Sequence, residues 1–232
     1  MTPRTFLPIF FSALLPLAAQ NVFDLQFAGE GAKDASAAGR EVGLHNVVVM
    51  NSGGASYGDL DGKGAVVVTA DPELSFGAKE PLWIELWINP VRFGKTGAIL
   101  SKGGGANYRI SAQANGQFGF SYYAKGEWRS LQSETPLVMN DWQHVACFFD
   151  SPSGRITLFL NGKVVAHAAE HPAFQSKDET PLYIGGSPLG ESGNYAGLVG
   201  GVGPVIIARG NPREVPDEPA IGQQVFEVKS PF

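Results

Sequence analysis

Residues 108–123 read YRISAQANGQFGFSYY, and the apolar pattern of this stretch decides the fold. The pair Asn115-Gly116 is typical of a two-residue β-turn, but that turn would pair Phe118 with Gln113 and mix polar and apolar side chains on both faces. A three-residue loop over residues 114–116, with Gly116 left-handed, instead gives one wholly apolar face. Because a slip of one residue moves every side chain to the other face, the pattern favours the longer loop. The predicted antiparallel pairs are Ala112 with Phe118, Ile110 with Phe120, and Tyr108 with Tyr122.

The opposite face of this hairpin is polar and leads to the candidate binding residues. Sugar rings stack on aromatic side chains, while their hydroxyl groups need polar partners. Trp128 lies in the segment Lys125–Ser130 and either packs beneath a loop or contacts a ligand; the sequence leaves both readings open. The candidate ligand-binding residues are Arg109, Tyr123, Trp128, Arg129 and Gln132.

The rest of the chain repeats the pattern of short apolar runs separated by turn residues. The sequence contains 30 Gly and 16 Pro, and none of its apolar runs is long enough for a capped helix. Asn161-Gly162 indicates a second hairpin, with a two-residue turn that sets Leu158 opposite Val165. The sequence therefore predicts an all-β domain with almost no helix.

Residues 1–20 have the features of a secretory signal peptide. Arg4 precedes an apolar run from Phe6 to Leu17, and the small residues Ala18 and Ala19 follow it. The run is shorter than the ~20 residues of a membrane-spanning helix. We predict cleavage near Ala19 or Gln20 and a secreted, soluble mature chain without a membrane span.

Charge and cysteine content exclude several functions. The formal net charge is -5, and acidic and basic residues are scattered, whereas a nucleic-acid partner would require a basic stripe. Cys147 is the only cysteine and lies in an apolar run, so we expect a buried, unreactive thiol. No nucleic-acid partner and no internal disulfide are predicted.

Six segments in one order resemble the laminin G-like domains of the concanavalin A-like lectin and glucanase group. The clearest are Trp83–Pro90, which resembles the family's "fTisaWvkP" strand, and Trp142–Ala146, which resembles its "WhHVA" strand. The others are Asp61-Gly62 with residues 65–68, Ile99–Gly103, Leu158–Gly162 and Leu182–Gly185. The resemblance implies a two-sheet antiparallel β-sandwich of the jelly-roll type, with Trp142 sealing the core and His144 hydrogen-bonded to the backbone.

The resemblance also implies a calcium ion, because relatives often hold one with loop aspartates. Residues 31–36 resemble an early loop of the family, so Asp34 is the candidate metal ligand. Gly201 stands where the family's late strand often carries an acid, which removes one ligand from the several that calcium requires. Calcium is therefore an optional cofactor in this prediction, and none is required.

Catalysis is the weaker interpretation. Glycanases on this scaffold place closely spaced acids along one strand, whereas the comparable strand here offers Glu85 alone. A lyase reading is prompted by Tyr122–Gly126, but the other lyase motifs are not evident. We predict a non-catalytic, secreted binding module for carbohydrate. An extracellular protein-interaction module and a polysaccharide-degrading enzyme are the alternatives.

The sequence divides the chain into three parts. The predicted boundaries are 1–20 for the signal peptide, 21–211 for the jelly-roll domain and 212–232 for a proline-rich tail. Residues 225–228 could add one edge strand, and the tail is expected to dock back on the sandwich.

Overall fold

A computed structural model describes residues 19–93, 96–103, 107–173, 179–186 and 196–232. Most of the predicted signal peptide lies outside these residues. The one helix described is a single 3-10 turn over Pro72–Leu74, capped by the Asp71 side chain. The strands are β1 (Gln20–Ala28), β2 (Gly31–Asp34), β3 (Val42–Ser52), β4 (Ala55–Val68), β5 (Leu82–Arg92), β6 (Gly97–Lys102), β7 (Tyr108–Ala112), β8 (Phe118–Ala124), β9 (Glu127–Gln132), β10 (Gln143–Asp150), β11 (Arg155–Leu160), β12 (Lys163–Ala168), β13 (Leu182–Ile184), β14 (Ala196–Gly197) and β15 (Val199–Arg209).

The strands form two layers that belong to one continuous hydrogen-bonded sheet. The strand order in this sheet runs β12-β11-β10-β5-β15-β4-β13-β6-β7-β8-β9, and all of these neighbours are antiparallel. The short strand β14 lies outside this order and pairs with β6 in parallel. Strands β8 and β10 are far apart in the order, yet Tyr122 and Phe149 have ring centroids 4.8 Å apart. The sheet therefore folds over on itself, and the prediction of a two-layer antiparallel β-sandwich is confirmed.

Strand β15 connects the two layers. Its first part, Val199 to Val202, pairs with β4, and its second part, Val205 to Arg209, pairs with β1. It also pairs with β5, with irregular register between Val202 and Val205. This strand allows one continuous sheet to serve both sides of the core.

The core between the layers contains the inward side chains of both. Phe23, Tyr108, Phe120, Tyr122 and Phe149 are all fully buried. The Tyr108 hydroxyl donates to the Leu74 carbonyl oxygen over 2.9 Å, which provides a partner for a polar group in an apolar setting. Cys147 is also in this core, and burial raises the pKa of its thiol, as expected for an unreactive cysteine.

The two predicted hairpins have different outcomes. Strands β7 and β8 pair in the predicted register, so the longer loop is confirmed. The second hairpin has the predicted two-residue turn, since Leu160 pairs with Lys163. A bulge between Leu158 and Phe159 then shifts the ladder, so Leu158 pairs with Ala166 and its predicted pairing with Val165 is wrong.

Residues 212–232 pack along the outside of the layer that contains β5, β10 and β11. The Val215 side chain is buried, and Phe226 contacts the rings of Trp83 and Phe159. The Phe232 ring stacks on Trp142 with centroids 3.8 Å apart. The predicted edge strand at 225–228 does not form; an isolated bridge joins Gln224 to Lys163 instead. The tail therefore docks on the sandwich, as expected.

Candidate functional site

Strand register gathers most of the predicted binding residues on the outer surface of β7, β8 and β9. Tyr122 and Phe120 point into the core, so the alternate residues face outward. Arg109 pairs with Ser121, Ser121 with Ser130, and Gly119 with Gln132. We call this surface the serine face; its residues are Arg109, Ser111, Gly119, Ser121, Tyr123, Trp128, Ser130 and Gln132.

An aromatic cluster occupies one end of the serine face. The Tyr123 and Trp128 rings meet edge to face with centroids 5.9 Å apart, and the Arg109 guanidinium carbon lies 4.2 Å from the Trp128 ring centroid. The Tyr123 hydroxyl donates to the Gly126 carbonyl oxygen over 2.8 Å. Trp128 is 36% exposed, so the indole offers surface to a ligand. Three of the five predicted binding residues thus lie together.

Gln132 lies at the other end of the serine face, beside Gly119. A Cβ at Gly119 would come within 2.4 Å of the Gln132 amide oxygen, so a larger residue there would displace the Gln132 amide from its present position. That buried oxygen has no hydrogen-bond partner. Since four residues of strand span about 13 Å, the face is longer than its aromatic cluster.

Asn107, immediately before β7, is a candidate that sequence reasoning missed. Asn107 is fully buried, and neither the oxygen nor the nitrogen of its side-chain amide has a hydrogen-bond partner. Its carbonyl oxygen accepts from the Tyr123 backbone N–H over 2.9 Å, which places it beside the aromatic cluster. No motif marks this asparagine, because only burial distinguishes it from an ordinary loop residue.

Arg129 is not part of the cluster. It pairs with Tyr122, so its side chain starts on the core side of β9, and its guanidinium forms an ion pair with Glu127. Burial raises the pKa of the neighbouring Tyr122 to about 12, while Arg129 opposes the rise. The structure therefore separates Arg129 from Arg109, Tyr123 and Trp128.

Asp34, the predicted metal ligand, is buried at the end of β2. Its carboxylate accepts backbone N–H groups of Asp24, Ser36 and Arg40 and an Arg40 guanidinium nitrogen at 3.1 Å. Burial alone would raise the pKa of this carboxyl, but the hydrogen bonds hold it below its usual value. The partners of the Asp34 carboxylate are all N–H groups. Calcium is bound by several oxygen atoms, so the surroundings of Asp34 do not fit the ion.

Gly201 shows why the late strand lacks the family's acid. A Cβ at this position would lie 2.7 Å from the Trp142 ring. Trp142 itself is half-buried against Tyr57 and Phe232 rather than sealing the core as predicted. In the part of the chain that the structure describes, no three His, Cys, Asp or Glu side chains form a group suited to a metal ion.

A second polar cluster lies under the tail, on the outer surface of the layer that contains β5 and β10. Arg213 Nη2 lies 2.8 and 3.0 Å from the two Glu85 carboxylate oxygens, and His144 Nε2 lies 3.6 Å from the nearer carboxylate oxygen. Burial lowers the pKa of His144 to about 4, against the opposing effect of Glu85. The His144 Nδ1 atom is buried without a hydrogen-bond partner, so the predicted side-chain bond to the backbone is wrong. We call this surface the tail face; it includes Glu85, His144 and Arg213, together with Trp83, Trp87 and Phe159.

A match to a family model shows which superfamily the chain belongs to. Residues 61–203 match the model described as the concanavalin A-like lectin/glucanases superfamily. This chain belongs to that superfamily. The superfamily match includes β5, β10 and β11, which carry the motifs identified in the sequence.

Solved structures share the superfamily fold at low sequence identity. Domain 4 of AbnA, an extracellular arabinanase from Geobacillus stearothermophilus solved with arabinotriose, has a TM-score of 0.66 at 13% identity, covering 84% of this chain and 94% of that domain. The binding domain of Paraclostridial Mosquitocidal Protein 1 has a TM-score of 0.63 at 13% identity, over 83% of this chain and 48% of that one. The binding domain of Botulinum neurotoxin DC, solved with rat synaptotagmin II, has a TM-score of 0.61 at 15% identity, over 85% and 49%.

This chain therefore spans about half the length of the toxin binding domains that it resembles. A search of curated protein sequences found no relative of the chain. Among the described residues, no helix has the length and apolar character needed to cross a membrane.

Proposed function

We propose that this protein is a secreted, non-catalytic binding module whose serine face holds a carbohydrate chain. The observation that carries the proposal is the cluster of Arg109, Tyr123 and Trp128, with the indole exposed beside polar side chains. An aromatic ring next to hydrogen-bonding groups matches a sugar ring, which has an apolar C–H face and a polar edge.

The small residues of the serine face support this assignment. Ser111, Gly119 and Ser121 form a row of small residues between the aromatic cluster and Gln132, and the two serines are buried, with 5% and 6% exposure. The buried oxygen of Gln132 and the buried amide of Asn107 lack partners, and buried polar groups normally have them. Ligand hydroxyl groups could supply the missing hydrogen bonds.

Two comparisons add support from proteins of the same fold. The arabinanase domain was solved with arabinotriose and matches this chain over nearly its whole length. The neurotoxin binding domain was solved in complex with rat synaptotagmin II, so a protein partner is the second candidate. We favour carbohydrate because the exposed aromatic surface lies beside small polar side chains rather than within a broad apolar patch.

A catalytic function has less support. Arg213 neutralises Glu85, and Glu227, the other carboxylate that lines the same cleft, lies on the tail, whereas glycanases on this scaffold place closely spaced acids along one strand. Export is supported by the apolar run at residues 6–17 behind a single basic residue.

The test measures binding and cleavage together, using protein recovered from the culture medium after expression with its own leader. We expect binding to one class of oligosaccharide on a glycan array that includes arabinotriose, with no release of reducing ends. Trp128→Ala should weaken binding by at least about tenfold, because the stacking surface is lost.

Val138→Ala is the matched control, since Val138 is 57% exposed and belongs to none of these strands. Equal loss in both variants, or no bound glycan, would refute carbohydrate binding at the serine face. Release of reducing ends would refute the non-catalytic assignment, and recovery of the protein only inside cells would refute export.

A further inference from the structure

The tail face contains a cleft that the serine-face proposal does not use. Its volume is about 280 Å³, and Trp87, His144, Glu85 and Arg213 are among the lining residues. A shallower space of about 470 Å³ continues past Trp87 towards Trp142. Glu227 and Val228 of the tail line both spaces together with Trp87, so the tail borders the cleft along its length.

The walls of the cleft are of two kinds. Trp87, Pro204 and Pro231 provide apolar surface, whereas Glu85, Arg213 and His144 provide polar groups on the other side. Glu85 and His144 are nearly inaccessible to solvent, with side-chain exposures of 7% and 4%. Buried polar groups beside an aromatic wall are characteristic of small-ligand pockets.

The charges of the cleft are already balanced. Arg213 pairs with Glu85, and Glu227 and Lys229 add one charge of each sign. A charged ligand would have to compete for one member of the buried pair, and breaking such a pair is costly. A neutral ligand can bind while the pair stays intact.

The part of the tail above the cleft is held at its two ends. Phe226 packs against Trp83 and Phe159, and Phe232 stacks on Trp142. Among the described residues, no hydrogen bond joins residues 227–229 to the sandwich. The segment can therefore move away from Trp87 without losing a hydrogen bond.

We propose that this cleft is a second binding site, selective for a single neutral sugar ring that places its C–H face on Trp87. The ring hydroxyl groups lie against Glu85 and Arg213. His144 Nδ1, which now lacks a partner, gains one when the tail segment lifts and a hydroxyl group enters. The molecule would then bind carbohydrate on both outer faces.

The experiment follows the Trp87 indole and His144 imidazole signals by NMR during titration with glucose, galactose, xylose and arabinose, and separately with glucuronate. We expect saturable shifts of both signals with at least one neutral sugar, and binding of glucuronate weaker by at least tenfold. The shifts should persist in Trp128→Ala and disappear in Trp87→Ala, with Trp87→Leu as the replacement if the alanine variant does not fold.

The absence of shifts at Trp87 and His144 up to the solubility limit of every sugar would overturn this second site. So would shifts that vanish in Trp128→Ala, because the sugar would then bind on the serine face. Glucuronate binding as tight as the neutral sugars would overturn the selectivity. If the shifts persist while Trp128→Ala leaves glycan-array binding unchanged, only the serine-face proposal fails.

Discussion

The two outer faces of this sandwich obey the same strand alternation but have opposite composition. The serine face carries Ser111, Gly119 and Ser121 in its middle, with aromatic side chains at one end. The tail face carries Trp83 and Phe159, which are fully buried because the tail covers them. The large aromatic side chains of the tail face are covered by the tail, whereas the serine face buries small polar residues and leaves the Gln132 oxygen and the Asn107 amide without hydrogen-bond partners.

This difference in composition indicates that the aromatic side chains of the two faces have different roles, in folding and in ligand binding. On the tail face, aromatic burial contributes to folding, and the remaining cleft is enclosed by the chain itself. On the serine face, the aromatic cluster contributes surface rather than core. Changes to the covered aromatic side chains of the tail face should therefore alter stability, and changes to the aromatic cluster of the serine face should alter binding.

The largest expected effect is the loss of stability in acid through His144 on the tail face. Burial lowers the pKa of His144 to about 4 from an unperturbed 6.5. Between these values the unfolded chain binds a proton at His144 that the folded chain does not. The contribution of neutral, buried His144 to the stability of the folded state is therefore complete above pH 6.5 and is lost as the pH falls to about 4. The free energy of unfolding should fall by about 3 kcal/mol from this residue.

Urea unfolding at a series of pH values measures this effect in the wild type and in His144→Gln, whose slope between pH 6.5 and 4 should be shallower. His45→Gln is the control, because His45 is exposed on β3. Identical slopes for the wild type and His144→Gln would contradict the assignment.

The next effect concerns the cover of the tail face. Phe226→Ala removes ring contacts with Trp83 and Phe159 and should lower the free energy of unfolding by about 2 kcal/mol, since the ring is only partly buried. Chemical denaturation measures it. Ile221→Ala is the matched change within the tail, as Ile221 is 50% exposed and should have little effect. Equal effects at both positions would show that the tail does not stabilise the sandwich through Phe226.

The smallest effect on stability is expected on the serine face. Trp128→Ala should lower the free energy of unfolding by about 1 kcal/mol, because the indole is 36% exposed and mainly loses its contacts with Tyr123 and Arg109. The same denaturation experiment measures it. A loss as large as that of Phe226→Ala would make Trp128 a packing residue and remove the contrast between the faces.

Local pattern was sufficient to predict much of the fold. The alternation around Tyr108 and Phe118 gave the hairpin register and, with it, the outward positions of Arg109 and Tyr123. Gln132 followed because β9 pairs directly with β8. These features depend on residues close in sequence, where the two-residue period of a strand determines which side chains share a face.

Features that join distant parts of the chain could not be predicted in the same way. Arg213 neutralises Glu85 across a separation of 128 residues, and Trp142 stacks on Phe232 in a segment that resembles a linker. The bulge at Leu158 also escaped prediction, because the residues on either side of it are apolar and fit both registers. Pairings of this kind depend on how the layers meet, which no local pattern records.

Strand β15 has a consequence for the order in which the molecule can be assembled. It is the last of the described strands, yet it pairs with the first of them, β1, and with β4 and β5. The two layers cannot close around their core until residues 199–209 have been synthesised. Contacts of such long sequence separation slow folding. The sandwich is therefore completed only once residues 199–209 are available to pair with β1, β4 and β5.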